Sequence, residues 1–210
     1  TLATQANDPN HAILDVRPIA AYNGWSLRGE MRGGHVPSAK SLPFQWTQYM
    51  DWVEVLDEKN LSTETPVTVY GYTADAAAEM ADKLERLGFE AVGMYDAFLD
   101  EWVPDPDRPL HRMERYQQLV YPKWVHDLIS GTEPPGMQGD DYVLCHAHFD
   151  YRQDYEDGHI PGAIPLNTND LESPETWNRR PPDELKAALE AHGIRHDTTV
   201  VLYGRFSYPT

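Results

Sequence analysis

The sequence is short of cysteine, of basic residues and of long apolar runs, and each shortage removes a class of protein. One cysteine, Cys145, in 210 residues rules out an intramolecular disulfide framework, while leaving the redox compartment open. Lysine and arginine number 17 against 34 aspartates and glutamates, a formal net charge of −17. Such a field repels nucleic acid and anionic membrane surfaces, so neither is expected as a partner. No apolar run approaches the roughly 20 residues of a membrane-spanning helix, so a soluble chain is expected. The opening residues carry no charged-then-apolar leader pattern either, and this leaves the compartment open. Phosphate-binding glycine motifs are also missing. What is present is ordinary for a folded protein: 40% hydrophobic and 24% charged residues, enough to bury a core beneath a solvated surface.

The informative feature is an internal repeat. Gly34-His35-Val36-Pro37-Ser38-Ala39 recurs as Gly158-His159-Ile160-Pro161-Gly162-Ala163, at a domain-sized interval too long for a solenoid. Each copy follows a strand-like run, Ile13–Arg17 and Tyr142–Cys145, and precedes a second one, Val67–Tyr70 and Thr199–Tyr203. The second runs end at Gly71 and Gly204. Between strands the periodicity is helical. Thr73 is placed to cap a helix whose apolar face is Ala77, Met80, Ala81, Leu84 and Leu87, ended by Gly88. Pro182 opens another, with Leu185, Ala188 and Leu189 as its stripe and Gly193 as its stop. Trp124, Val125, Leu128 and Ile129 form a third stripe before Gly131. Alternating strands and helices predict α/β domains, each a parallel sheet flanked by helices on both faces. The proline-rich stretch Val103–Pro109 reads as a stiff connector. The boundary is placed near Arg115, giving domains 1–115 and 116–210. Residues Asn23–Arg32, rich in Gly and Arg, read as a loop insertion in the first copy.

This ordered set resembles the rhodanese (thiosulfate sulfurtransferase) family over nearly the whole chain. Ile13-Leu14-Asp15-Val16-Arg17 resembles its opening strand. Tyr22 with His35-Val36-Pro37, and Tyr155 through Ala163, resemble its Gly-His-Ile-Pro-Gly-Ala signature. Tyr95-Asp96-Ala97-Phe98 with Trp102 resembles its closing segment, and Leu119–Trp124 the start of a second domain in tandem members. His35 and His159 fall in the signature turn, where a structural, backbone-bonded imidazole is expected.

The resemblance also says where chemistry belongs. The family keeps a cysteine at the end of the second strand, where loop N–H groups and a helix N-terminus lower the thiol pKa and stabilise a persulfide. Here Gly71 and Gly204 occupy those positions, so covalent sulfur relay at either loop is impossible and no catalytic residue is expected in the chain. The loop 71–76 lacks an arginine, and Asp75 is placed to occupy the positive helix end. The loop from Gly204 carries Arg205, a candidate anion-binding residue. Cys145 aligns with Asp15 and reads as a buried strand residue. Strand alternation separates Cys145 from His146 and His148, and Gly193 separates His192 from His196, so no metal site and no cofactor are expected.

The expectation is therefore a non-catalytic rhodanese-like tandem, resembling the first two domains of three-domain bacterial thiosulfate sulfurtransferases. It implies a downstream catalytic domain in the remainder of the same protein as the first partner, and sulfur donor or acceptor proteins as others. The resemblance leans the compartment towards the periplasm. The rival expectation is a catalytically dead protein-binding module. Because the chain stops just inside the second loop, further residues are expected to pair beside Val200–Tyr203.

Overall fold

Four short runs with small or β-branched side chains build the first sheet. In the computed structural model, which describes residues 1–137, 139, 141–150 and 152–204, α1 (Leu2–Gln5) leads to β1 (Ala12–Asp15) and then α2 (Ile19–Asn23). There follow β2 (Lys40–Ser41), α3 (Trp52–Glu58), β3 (Val67–Tyr70), α4 (Ala74–Arg86) and β4 (Val92–Tyr95). The sheet order is β2-β1-β3-β4, all parallel, with Asp15 opposite both Ser41 and Tyr70. Parallel pairing needs a crossover after each strand, and the intervening helices supply it. On one face α3 and α4 bury Leu14, Val67 and Val69 beneath Ala77, Met80 and Leu84. On the other, Ile13 and Tyr70 lie against Leu2, Phe98, Trp102 and Val103. Phe98–Trp102 form a single π-helical turn.

Thr73 caps α4, its hydroxyl accepting from the Ala76 N–H at 3.3 Å, and Gly88 takes a φ of +96° just past its end. Leu87, expected on the apolar face, is instead the exposed C-cap residue. The last turn closes one residue earlier than the stripe implies, and it ends with Phe89 tucked into the core in place of Leu87.

The second sheet repeats the plan, with three strands among the described residues. α5 (Pro122–Ile129) precedes β5 (Tyr142–His148), α6 (Arg152–Asp157), β6 (Ile164–Asn167), α7 (Pro182–Ala191) and β7 (Thr199–Tyr203). The order β6-β5-β7, again parallel, matches β2-β1-β3. Cys145, Leu166 and Ile194 form one core with Leu189 of α7. His146, on the opposite face by strand alternation, meets Tyr155 of α6. Two compact units meet between Tyr121 and Pro122, and within the first Trp25 holds residues 116–121. Its rings meet Tyr116 and Tyr121 edge-on and its indole N–H donates to the Leu119 carbonyl. No described helix is long and apolar enough to cross a membrane.

Candidate functional site

Both units turn their signature histidine in the same way. His35 stacks on Tyr22 at 3.7 Å between centroids and its Nδ1 donates to the Tyr22 carbonyl at 2.7 Å. His159 stacks on Tyr155 at 3.9 Å and donates to the Tyr155 carbonyl at 2.8 Å. The tyrosine hydroxyls donate onward to Ala39 O and Ala163 O. These histidines hold a turn; burial pushes the His35 imidazole below its ordinary value, against the pull of the Tyr22 carbonyl.

The second anchor of each unit is the last residue of the strand before the loop. The Val36 N–H donates to the Tyr70 hydroxyl, and the Ile160 N–H to that of Tyr203. Gly71 and Gly204 thus follow equivalent tyrosines. Gly71 is buried, and a Cβ there would meet Val16 Cγ2 at 2.9 Å. Gly204 is exposed, and among the described residues only the Ala147 carbonyl lies close, at 3.2 Å. The first loop is filled. Tyr72 donates to Glu30, and the guanidinium carbons of Arg17 and Arg28 lie 5.3 and 4.7 Å from its ring centre. Burial first, then Glu30, pushes the Tyr72 hydroxyl well above its ordinary value, so it stays protonated and in place. The insertion that carries Glu30 is itself clipped down. Arg32 donates to the carbonyls of Trp102, Val103, Asp105 and Arg108. Sequence reasoning read Asn23–Arg32 as a loop and missed this closure. The signal available was an arginine-rich insertion in a chain with few cations. Arg205, the expected anion-binding residue, lies outside the described residues.

Beneath the first loop Asp15 and Arg17 form a buried ion pair at 2.7 Å. Asp15 also accepts from the Tyr70 hydroxyl at 2.7 Å, and Arg17 donates to the Gly34 carbonyl at 2.6 Å. The second unit corrects the sequence alignment. Asp15 faces Tyr70, while the residue facing Tyr203 is His146. His146 therefore takes the place of Asp15, Cys145 that of Leu14, and His148 that of Arg17. Cys145 is fully buried in the α7-side core, and burial pushes its thiol up. It has none of the electropositive, accessible surroundings of a nucleophile. His192 bonds the Ala188 carbonyl while His196 lies exposed. Among the described residues no group of three or more His, Cys, Asp or Glu side chains could hold a metal ion.

A rhodanese-like domain model matches residues 1–105 and 137–209. The chain belongs to the rhodanese-like family. Among its family relatives, thiosulfate sulfurtransferase YnjE of Escherichia coli (strain K12) is 36% identical over 207 residues, covering 97% of this chain and 46% of that protein. A mitochondrial thiosulfate/3-mercaptopyruvate sulfurtransferase of Arabidopsis thaliana is 30% identical over 119 residues, 51% of this chain and 31% of its own. Wild-type EanB matches all of this chain and 48% of its own at 44% identity, with a TM-score of 0.95. The anaerobic ergothioneine biosynthesis enzyme of Chlorobium limicola, with trimethyl histidine bound, matches at 44% identity and a TM-score of 0.94, covering 100% and 49%. This rhodanese-like chain spans about half the length or less of the relatives it matches.

Proposed function

We propose that this chain is the non-catalytic tandem portion of a larger sulfurtransferase, whose persulfide-forming cysteine lies outside these 210 residues. The observation that carries the reading is the pair of glycines, Gly71 and Gly204, at the strand ends where the family resemblance places the nucleophile. A residue without a side chain accepts no sulfur. Tyr72 and Glu30 filling the first loop support the same reading.

The remainder of the same protein is the proposed first partner, and the open side of β7 supports it. Val67 and Val69 of β3 are 1% and 0% exposed under α4, whereas Val200 and Leu202, at equivalent places on β7, are 38% and 60% exposed. Their second flank also has no pairing strand among the described residues, where β3 has β4. A following strand and helix of the kind that complete the first unit would bury both side chains.

Purified 1–210 should form thiocyanate from thiosulfate and cyanide no faster than the uncatalysed rate. The chain extended by its adjoining C-terminal sequence should turn over. Activity of 1–210 that vanishes on Cys145→Ser would overturn the reading. An extended protein without sulfur transfer would favour the protein-binding module instead.

A second reading concerns the sulfur acceptor. The 44% identity to enzymes solved with hercynine and ergothioneine, one with a cysteine persulfide, favours a small imidazole acceptor over cyanide. Assaying the extended protein with a polysulfide donor, against hercynine and cyanide in parallel, separates the two.

A further inference from the structure

The two units differ at one buried place in a way that changes its proton chemistry. In the first, five groups run in a chain from the Val36 N–H through Tyr70, Asp15 and Arg17 to the Gly34 carbonyl. In the second, the chain stops at the Ile160 N–H and Tyr203. His146 and His148 follow, on one face of β5 with ring centres 6.1 Å apart, and Nδ1 of each is buried with no hydrogen-bond partner among the described residues. His146 is 2% exposed. No third ligand joins them among the described residues, and the chemistry open to His148 is proton uptake.

We infer that His148, packed beside the buried His146, forms an acid-sensitive latch at the C-terminal end of β5, which loosens the second unit as pH falls below neutrality. The groups around the pair set the direction. His146 itself and Arg152 of α6 oppose a positive charge on His148, while Asp150 of the following turn and Asp170 favour it. Asp150 is already engaged by Asn169 at 2.6 Å, and Asp170 lies 3.8 Å from His192. Tyr155 and Tyr203 present their rings to His146, and β6 contributes no titratable side chain. Burial, then His146 and Arg152, hold the His148 imidazole below its ordinary value of 6.5. The unfolded chain therefore binds the proton more readily than the folded one. Stability from this group is complete above about pH 6.5 and is lost as pH falls from there through the lower, folded value. The consequence is local, because His146 of β5 meets Tyr155, whose carbonyl holds the signature His159, and the Ala147 carbonyl lies beside Gly204.

Hydrogen exchange of the chain, read on peptides spanning 142–148 between pH 7.5 and 5.0 and corrected for intrinsic rates, tests this. Protection should fall several-fold on acidification in the parent chain and stay nearly level in His148→Gln. The first unit is a poor reference, since burial also depresses His11 and His35 there; the variant is the reference. An equal pH dependence in parent and variant overturns the latch. Should the variant not fold, titration of the His148 ring protons in the parent decides. A ring that titrates below its ordinary value supports the latch, and one that titrates at or above it, or not at all, overturns it.

Discussion

Replacing Asp15 by Ala isolates the ion pair that the first unit has and the second lacks. Asp15 is fully buried and accepts from the Arg17 backbone N–H at 3.0 Å, from Nε at 3.0 Å and Nη2 at 2.7 Å, and from the Tyr70 hydroxyl at 2.7 Å. Among the described residues, its removal leaves a buried guanidinium with one remaining acceptor, Gly34 O, and Nη1 already has none. Breaking a buried pair from one side costs about 3–5 kcal/mol, a large share of the about 5–15 kcal/mol that holds a domain. With a urea slope of about 2 kcal/mol/M, the midpoint of the first unit's transition should fall by roughly 2 M. Urea titration followed by exchange of peptides from β1 and β3 assigns the transition to this unit. Asp15→Ala combined with Arg17→Met removes both charges and should recover most of the loss, because the penalty lies in the charge left behind. A double variant as unstable as Asp15→Ala, or a single variant shifted by less than roughly 0.5 M, about 1 kcal/mol at that slope, would refute the reasoning.

Other outcomes follow from the loops and cores. Gly71→Cys should not produce thiocyanate-forming activity. It should also destabilise the first unit by about 1–3 kcal/mol, as its Cβ displaces Val16; chemical denaturation and a cyanide assay read the two effects. Cys145 should resist a thiol reagent in the native chain at neutral pH and react fully in denaturant, since burial raises its thiol and excludes the reagent. Thr73→Ala should cost about 0.5–2 kcal/mol through the lost cap on α4, measured as a midpoint shift.

The signature turns were legible because their chemistry is local. A His four to thirteen residues from its carbonyl partner, beside a Pro and a small residue, leaves a readable string. Gly88, Gly131 and Gly193 were legible as helix stops for the same reason, each taking a positive φ. The register of β5 was not. Val143-Leu144-Cys145 and Ile13-Leu14-Asp15 match as apolar runs whichever way they slide by one. Only the pairing of His146 with Tyr203 sets the register. With that slip, the exchange of an Asp–Arg pair for two histidines was invisible, and Cys145 took the place of Asp15. The closure of the first loop was hidden too, because Tyr72 and Glu30 are far apart in sequence and meet only once the insertion folds back. Leu87 shows the limit of periodicity: a stripe gives the face of a helix but not its last turn.

Arg32 spends its guanidinium on four main-chain carbonyls between Trp102 and Arg108, in a stretch where prolines at 104, 106 and 109 cannot donate. One side chain thus supplies donors that a proline-rich segment cannot provide for itself. The insertion and the segment are consequently one structural unit, so that loosening either one frees the other. A protease that fails to cut between Trp102 and Arg108 in the parent chain should cut there once Arg32 is shortened.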